Sequence, residues 1–243
     1  MQIEHTEASI VVIGNFRPDS FRLKALADAK VISQKDADRA EILVLIPGQA
    51  VNFNLQWSTV LVDSSRFQVT TTEAPYIRIC DLVLKALNDI DTKFSVTALG
   101  INYTAHFNMG TYKARDEIGL RVAPPNAWGD WGKAVYESIS NKPASRLHGG
   151  LMSMTMRLPF NLGTVGGWRD VSVTPSDKVA GHGGIKFKSN HHFILSSSLV
   201  DEAQSPDNPT KEDTEGLLLR ALSEGFDESI KECEAIFNQM VVV

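Results

Sequence analysis

Three of the six histidines, His182, His191 and His192, fall within eleven residues. Neutral imidazoles on adjacent strands can converge on zinc or another transition metal, and imidazole also carries protons near neutral pH. His106 and His148 could join them from neighbouring strands. However, His191 and His192 are consecutive, so on a strand they point to opposite faces. At most one of them can share a site with His182. No cysteine or acid accompanies them at ligand spacing, so their first reading is as polar strand or turn residues. No cofactor is expected.

A second chemical pattern is a basic segment interleaved with aromatics: Arg146, Arg157, Phe160, Trp168, Arg169, Lys186, Phe187, Lys188 and Phe193. Cations on phosphates and bases stacked on aromatic rings are how sheets grip single strands. Alternation opposes this use, because it places Lys186 and Lys188 on one face and Ile185 and Phe187 on the other. Trp128 and Trp131, close to Pro124-Pro125, form an aromatic patch of the kind that anchors interfaces, or pack beneath a loop. The carboxylate pairs Asp36/Asp38 and Asp116/Glu117 sit in polar stretches that read as exposed. Gly163-Thr164-Val165-Gly166-Gly167 lacks the Lys-Ser/Thr of a phosphate loop and reads as a hairpin turn. Nucleophile-elbow, zinc-protease, Walker and dinucleotide signatures are absent from the sequence.

These residues need elements to position them, and the 243-residue chain is rich enough in apolar side chains (43%) to bury a substantial core. Ser9–Gly14 reads as a strand and Asp19–Ala29 as a short helix. Glu41–Ile46, Val51–Val62 and Phe67–Val69 read as three strands. A helix with Thr72 as its cap follows, with the stripe Tyr76, Ile79, Cys80, Val83, Leu87 and Ile90 at a period near 3.6. The second half repeats this order. Phe94–Met109 is a long strand, Thr111–Val122 and Trp128–Ser140 are helices, and Gly150–Leu158, Trp168–Thr174 and Gly184–Ser197 are strands. A long helix then carries the stripe Leu218, Leu222, Phe226, Ile230, Cys233, Phe237 and Met240. The reading is one α+β unit over residues 1–243, with antiparallel sheet covered by helices. Its two halves, roughly 8–92 and 93–243, share the order strand, helix, three strands, helix. That order resembles the duplicated topology of TATA-binding-protein-like folds.

The net charge of −5 is unevenly spread: +5 over residues 142–192, −8 over 201–234 and −2 over 1–141. The acidic C-terminal helix is expected to show a solvated face or to neutralise the basic sheet. Cys80 and Cys233 each fall on an apolar helical face, as buried free thiols of a reducing compartment do. The N-terminus has two acids and no base, unlike a secretory signal, and no apolar run approaches bilayer length. A cytoplasmic location follows, with no membrane partner.

Ile13-Gly14-Asn15-Phe16-Arg17-Pro18, Ala98-Leu99-Gly100-Ile101-Asn102 with His106-Phe107, and Asn190-His191-His192-Phe193 are together similar to a loosely defined set of uncharacterised bacterial proteins of about this length. The resemblance implies a bacterial, intracellular origin and carries no activity, cofactor or site residue.

The leading expectation is a non-enzymatic binding or assembly protein that self-associates or joins a protein partner. Trp128, Trp131, Arg146, Arg157, Arg169, Lys186 and Lys188 are its candidate contact residues. The alternatives are nucleic-acid binding through the basic segment 142–192 and a metal-assisted enzyme using His182 with His191 or His192.

Overall fold

Two fourteen-residue strands form the middle of the molecule. β1 (Gln2–Asn15) and β6 (Ser95–Asn108) run antiparallel, in register from Gln2↔Asn108 to Asn15↔Ser95 with two bulges. The computed structural model describes residues 1–90, 95–141, 150–162, 165–195 and 211–241.

On one side of this pair the chain adds β2 (Glu41–Ile46), β3 (Ala50–Asn54), β4 (Thr59–Asp63) and β5 (Arg66–Thr71). On the other side it adds β7 (Met154–Leu162), β8 (Val165–Pro175) and β9 (Gly184–Ile194). The result is one nine-stranded antiparallel sheet in the order β2-β3-β4-β5-β1-β6-β9-β8-β7. Each half lays its last strand against its own long first strand and works outward to an edge. This is the α+β class expected from the sequence.

Period-2 alternation makes the two faces unlike. One row across all nine strands reads Ile42, Phe53, Val60, Val69, Ile10, Ile101, His191, Arg169 and Leu158. The row beside it, on the opposite face, reads Glu41, Asn54, Thr59, Thr70, Ser9, Asn102, Asn190, Asp170 and Arg157. The apolar face is the one that the helices cover. A 3-10 turn (Pro18–Phe21) and α1 (Leu23–Asp28) bring Phe21 and Leu26 over β3–β5, where the Phe21 ring lies 5.0 Å from Phe67. α3 (Ile77–Asp89) packs on β1 and β5, and α6 (Lys211–Val241) packs on β6, β9 and α3. Phe237 of α6 stacks on Tyr103 at 5.9 Å and tilts against Phe187 at 5.4 Å. α4 (Tyr112–Val122) joins the same core through Ile118, and α5 (Gly129–Asn141) packs on the Pro125–Trp128 turn and on Gly150.

Several expected boundaries move. The stretch Val51–Val62 is two strands, β3 and β4, because Leu55 N–H bonds back to the Ser58 carbonyl and closes a hairpin. α2 (Gln34–Arg39) is an added short helix, capped where Ser33 Oγ accepts from Asp36 N–H at 3.0 Å. α3 starts after Tyr76 rather than at a Thr72 cap, and its N-cap makes no side-chain bond. β7 begins four residues later than expected: Gly150 sits at φ +83 beneath Val135 and Ile139, which turns the chain before the strand can start. Asp116 is buried rather than exposed, at 8%, and accepts a hydrogen bond from Nε of the fully buried Arg115 at 2.8 Å. The adjacent sequence Arg115-Asp116 hid this pair, since neighbours on a helix do not face one another by spacing alone.

Gly167 makes the closest strand approach in the second half. A Cβ there would stand 1.9 Å from the His192 carbonyl oxygen, with only backbone to yield. Gly167→Ala is therefore expected to push β8 off β9 and lower unfolding stability by about 2 kcal/mol, the overpacking range. Urea denaturation followed by circular dichroism checks this, and a loss below about 0.5 kcal/mol would show that β8 and β9 separate freely.

Candidate functional site

The apolar row of the sheet is interrupted at two adjacent positions, His191 on β9 and Arg169 on β8, paired directly across the ladder. Both are nearly inaccessible, at 2% and 9% exposure. Buried polar groups require partners, and α6 supplies them. Arg169 Nε donates to His191 Nε2 at 2.6 Å, and an Arg169 Nη2 N–H donates to Glu232 Oε2. The same Glu232 oxygen lies 3.3 Å from His191 Nε2.

An arginine can only donate, so the Nε2 lone pair is the acceptor and the ring proton sits on Nδ1. Arg169 thus bridges the imidazole and the carboxylate. The protonated Nδ1 faces Cys233 Sγ at 3.8 Å. A base that activates a thiol needs a free lone pair aimed at the sulfur, and here the ring presents its proton instead. Burial also pushes the Cys233 thiol up to about 12, which keeps it protonated. Burial, aided by the charge on Arg169 and opposed by Glu232, lowers His191 to about 4.

In front of this cluster is a pocket of about 200 Å³ between α6 and β7–β9, walled by Phe160, Leu162 and Phe193 and floored by Arg169 and His191. Glu228, Ser229 and Glu232 of α6 complete it. Gly225 lets the helix lie close to the sheet, since a Cβ there would sit 3.1 Å from Leu162 and 3.4 Å from Phe193. The Phe160 ring meets His191 edge-on at 5.7 Å and Phe193 at 5.1 Å.

The other expected site residues scatter. Arg157, Lys186, Lys188 and His192 lie on the face opposite His191 and Arg169. There Arg157 holds both oxygens of Asp170 at 2.7 Å and lies over the Trp168 ring at 4.5 Å. His192 stacks on Trp168 at 4.1 Å. The ring therefore has a guanidinium and an imidazole as neighbours, and the tightly held Asp170 carboxyl stays below the usual carboxylate range. Lys186 reaches Asp177 at 3.4 Å. The basic segment is thus split between two faces, with Phe187 in the core as alternation predicts.

Arg146 and His148 lie outside the described residues. His182 ends a short 3-10 turn, Ala180–His182, and its side chain is also outside them. Among the described residues no group of three His, Cys, Asp or Glu side chains is placed to hold a metal. His106 on β6 accepts a hydrogen bond at Nδ1 from Ser176 Oγ at 2.8 Å, because that hydroxyl already accepts from two backbone N–H groups.

Apolar side chains are exposed on β7, at Met156 and Leu158, and on two further surfaces among the described residues. Trp128 and Trp131, 58% and 68% exposed with rings 6.1 Å apart, flank a groove that continues over Val135, Leu151 and Met152. At the far edge of the sheet, all six residues of β2 are exposed, including Ile42, Leu43, Val44, Leu45 and Ile46.

Glu232, Cys233 and Ser229 were missed as site residues because their spacing reads as an amphipathic helix. Ser229 and Cys233 lie four apart on its core stripe, and a serine there was the one available signal. No helix of the described residues is long and apolar enough to cross a membrane.

His106, His191 and His192 are all held below the ordinary histidine value, in each case chiefly by burial. The unfolded chain therefore binds more protons than the folded one between about pH 6.5 and the depressed folded values. Stability should be full above about pH 6.5 and fall by roughly 1–3 kcal/mol as pH drops toward 4. Urea midpoints across that range test this, and His191→Gln should flatten the slope; an unchanged slope would assign the loss to other groups. No protein-family model matches this sequence, and no curated protein shows significant similarity to it.

Proposed function

We propose that this is a non-enzymatic assembly protein whose partner is a second copy of itself, joined through the β2 edge. The observation that carries this reading is the exposure of five consecutive apolar residues on an unpaired edge strand, between 37% and 56% each. Both faces of β2 are bare as well as its edge, and α1 and its preceding turn stop over β3–β5.

Edge strands ordinarily carry charges or proline that discourage pairing. The other edge follows that rule: β7 contains Arg157 and Pro159. β2 has a single charge, Glu41, at its very end. In an antiparallel pair related by a two-fold axis, that charge faces the opposite end of its copy rather than itself. The arrangement is self-complementary. It would satisfy the open backbone groups of both strands and cover the part of the apolar surface that lies along the edge.

Chemistry at the Arg169–His191 cluster is disfavoured by the orientation of the ring proton and by the protonated thiol of Cys233. Nucleic-acid binding by the basic segment is disfavoured by the burial of Arg169 on the helix side and by the pairing of Arg157 with Asp170 and of Lys186 with Asp177.

Sedimentation velocity over a range of concentrations tests the proposal. The expected result is a dimer for the wild type and a monomer for Val44→Lys, with the dissociation constant raised at least about tenfold, or 1.4 kcal/mol, and the circular dichroism unchanged. A wild type that stays monomeric at high micromolar concentration, or a dimer indifferent to Val44→Lys, would overturn it.

A further inference from the structure

We propose that the pocket between α6 and the β7–β9 end of the sheet binds a small organic cation, an amine on an apolar body of about ten non-hydrogen atoms. The site lies at the opposite end of the strand order from β2, and the inference does not depend on assembly.

Size sets the first limit. A volume of about 200 Å³ is below the range for drug-sized ligands. Phe160, Leu162 and Phe193 give it an apolar wall suited to an alkyl chain or a single ring.

Charge sets the second limit. Glu232 already neutralises Arg169, and His191 is a neutral ring whose Nε2 is occupied. Glu228 is then the uncompensated charge of the lining. Glu224 and Asp227 extend the negative rim along the same helix, with Lys231 as its cation, while Arg220 pairs with Glu224 at 3.0 Å. A concave site with such a rim concentrates cations and repels carboxylates.

The third observation is Ser229. It lines the pocket, is 4% exposed, and its hydroxyl has no hydrogen-bond partner among the described residues. The oxygen is not sealed inside the protein, so it is open to a donor in the pocket. An ammonium group entering past the rim can donate one N–H to Ser229 Oγ and another to the Glu228 carboxylate, while its apolar body lies along Phe160.

The probe is phenethylammonium, compared with its near-isosteres 2-phenylethanol and phenylacetate, titrated into the full chain and followed by amide ¹H–¹⁵N shifts. Saturable shifts at Ser229 and Glu232 are expected, with at least about tenfold weaker binding of the alcohol and the acid. Glu228→Gln, at an exposed position that leaves the fold intact, should weaken phenethylammonium about tenfold, and Ser229→Ala should weaken it while leaving distant amides unmoved. Absence of saturable shifts at these amides, equal binding of the alcohol, preference for phenylacetate, or indifference to Glu228→Gln would each overturn the proposal.

Discussion

The pairing of β1 with β6 fixes the position of nearly everything else. Each long strand uses one edge for the other and leaves one edge for its own half, so β5 and β9 have defined places to dock and the sheet grows outward from them. Because the side-chain period is two, the register from Gln2↔Asn108 to Asn15↔Ser95 also decides which residues face the helices. A slip of one residue would carry Ala8, Ile10 and Val12 to the solvated face and bring Glu7, Ser9 and Val11 under α3. The sheet therefore tolerates variation at its edges and very little at its centre.

Within that frame, the polar cluster under α6 is a substitution of chemistry rather than of geometry. His191 and Arg169 stand where the row across the sheet is otherwise apolar, and they are accommodated because α6 places Glu232 and Cys233 above them. One acidic residue of the C-terminal helix thus does neutralise a basic residue of the sheet. Of the other acids of that helix, Glu234 accepts from the Tyr103 hydroxyl at 3.2 Å, Glu228 lines the pocket, and Glu224 and Asp227 are exposed. The guanidinium that bridges the neutral ring and the half-exposed carboxylate also locks the ring tautomer, and through it the direction in which the imidazole can act.

Much of this fold could be read from residue pattern. The helical stripe from Ile79 to Leu87, the stripe of α6, the opposed faces of Lys186 and Phe187 and the long second-half strand all follow from periodicity, since burial on one face imposes it. Boundaries set by tertiary contacts could not be read in the same way. The polar run Gln2–Glu7 has no alternation of its own and is a strand because β6 offers it a partner. β7 starts late because α5 occupies the space over Gly150. The basic segment looked continuous in sequence, yet it divides between two faces because β8 and β9 each alternate. The pocket was out of reach for a related reason: its lining comes from β7, β8, β9 and α6, and only a register could show that Arg169 and His191 are neighbours.

The long central ladder also has a consequence in time. β1 is made first, but β6 begins only at Ser95, after β2–β5 and α3. At ordinary rates of translation, about 5–20 residues per second, that leaves an interval of about 4–16 s. During it, the emerging first half can close β5 onto one side of β1 while the other side, the future seat of β6, stays open. A nascent half-molecule of this protein therefore has two bare strand edges, one at β1 and one at β2. The finished chain caps the first by its own later synthesis, so slow or interrupted elongation near Asp89 is where misassembly between neighbouring nascent chains would start.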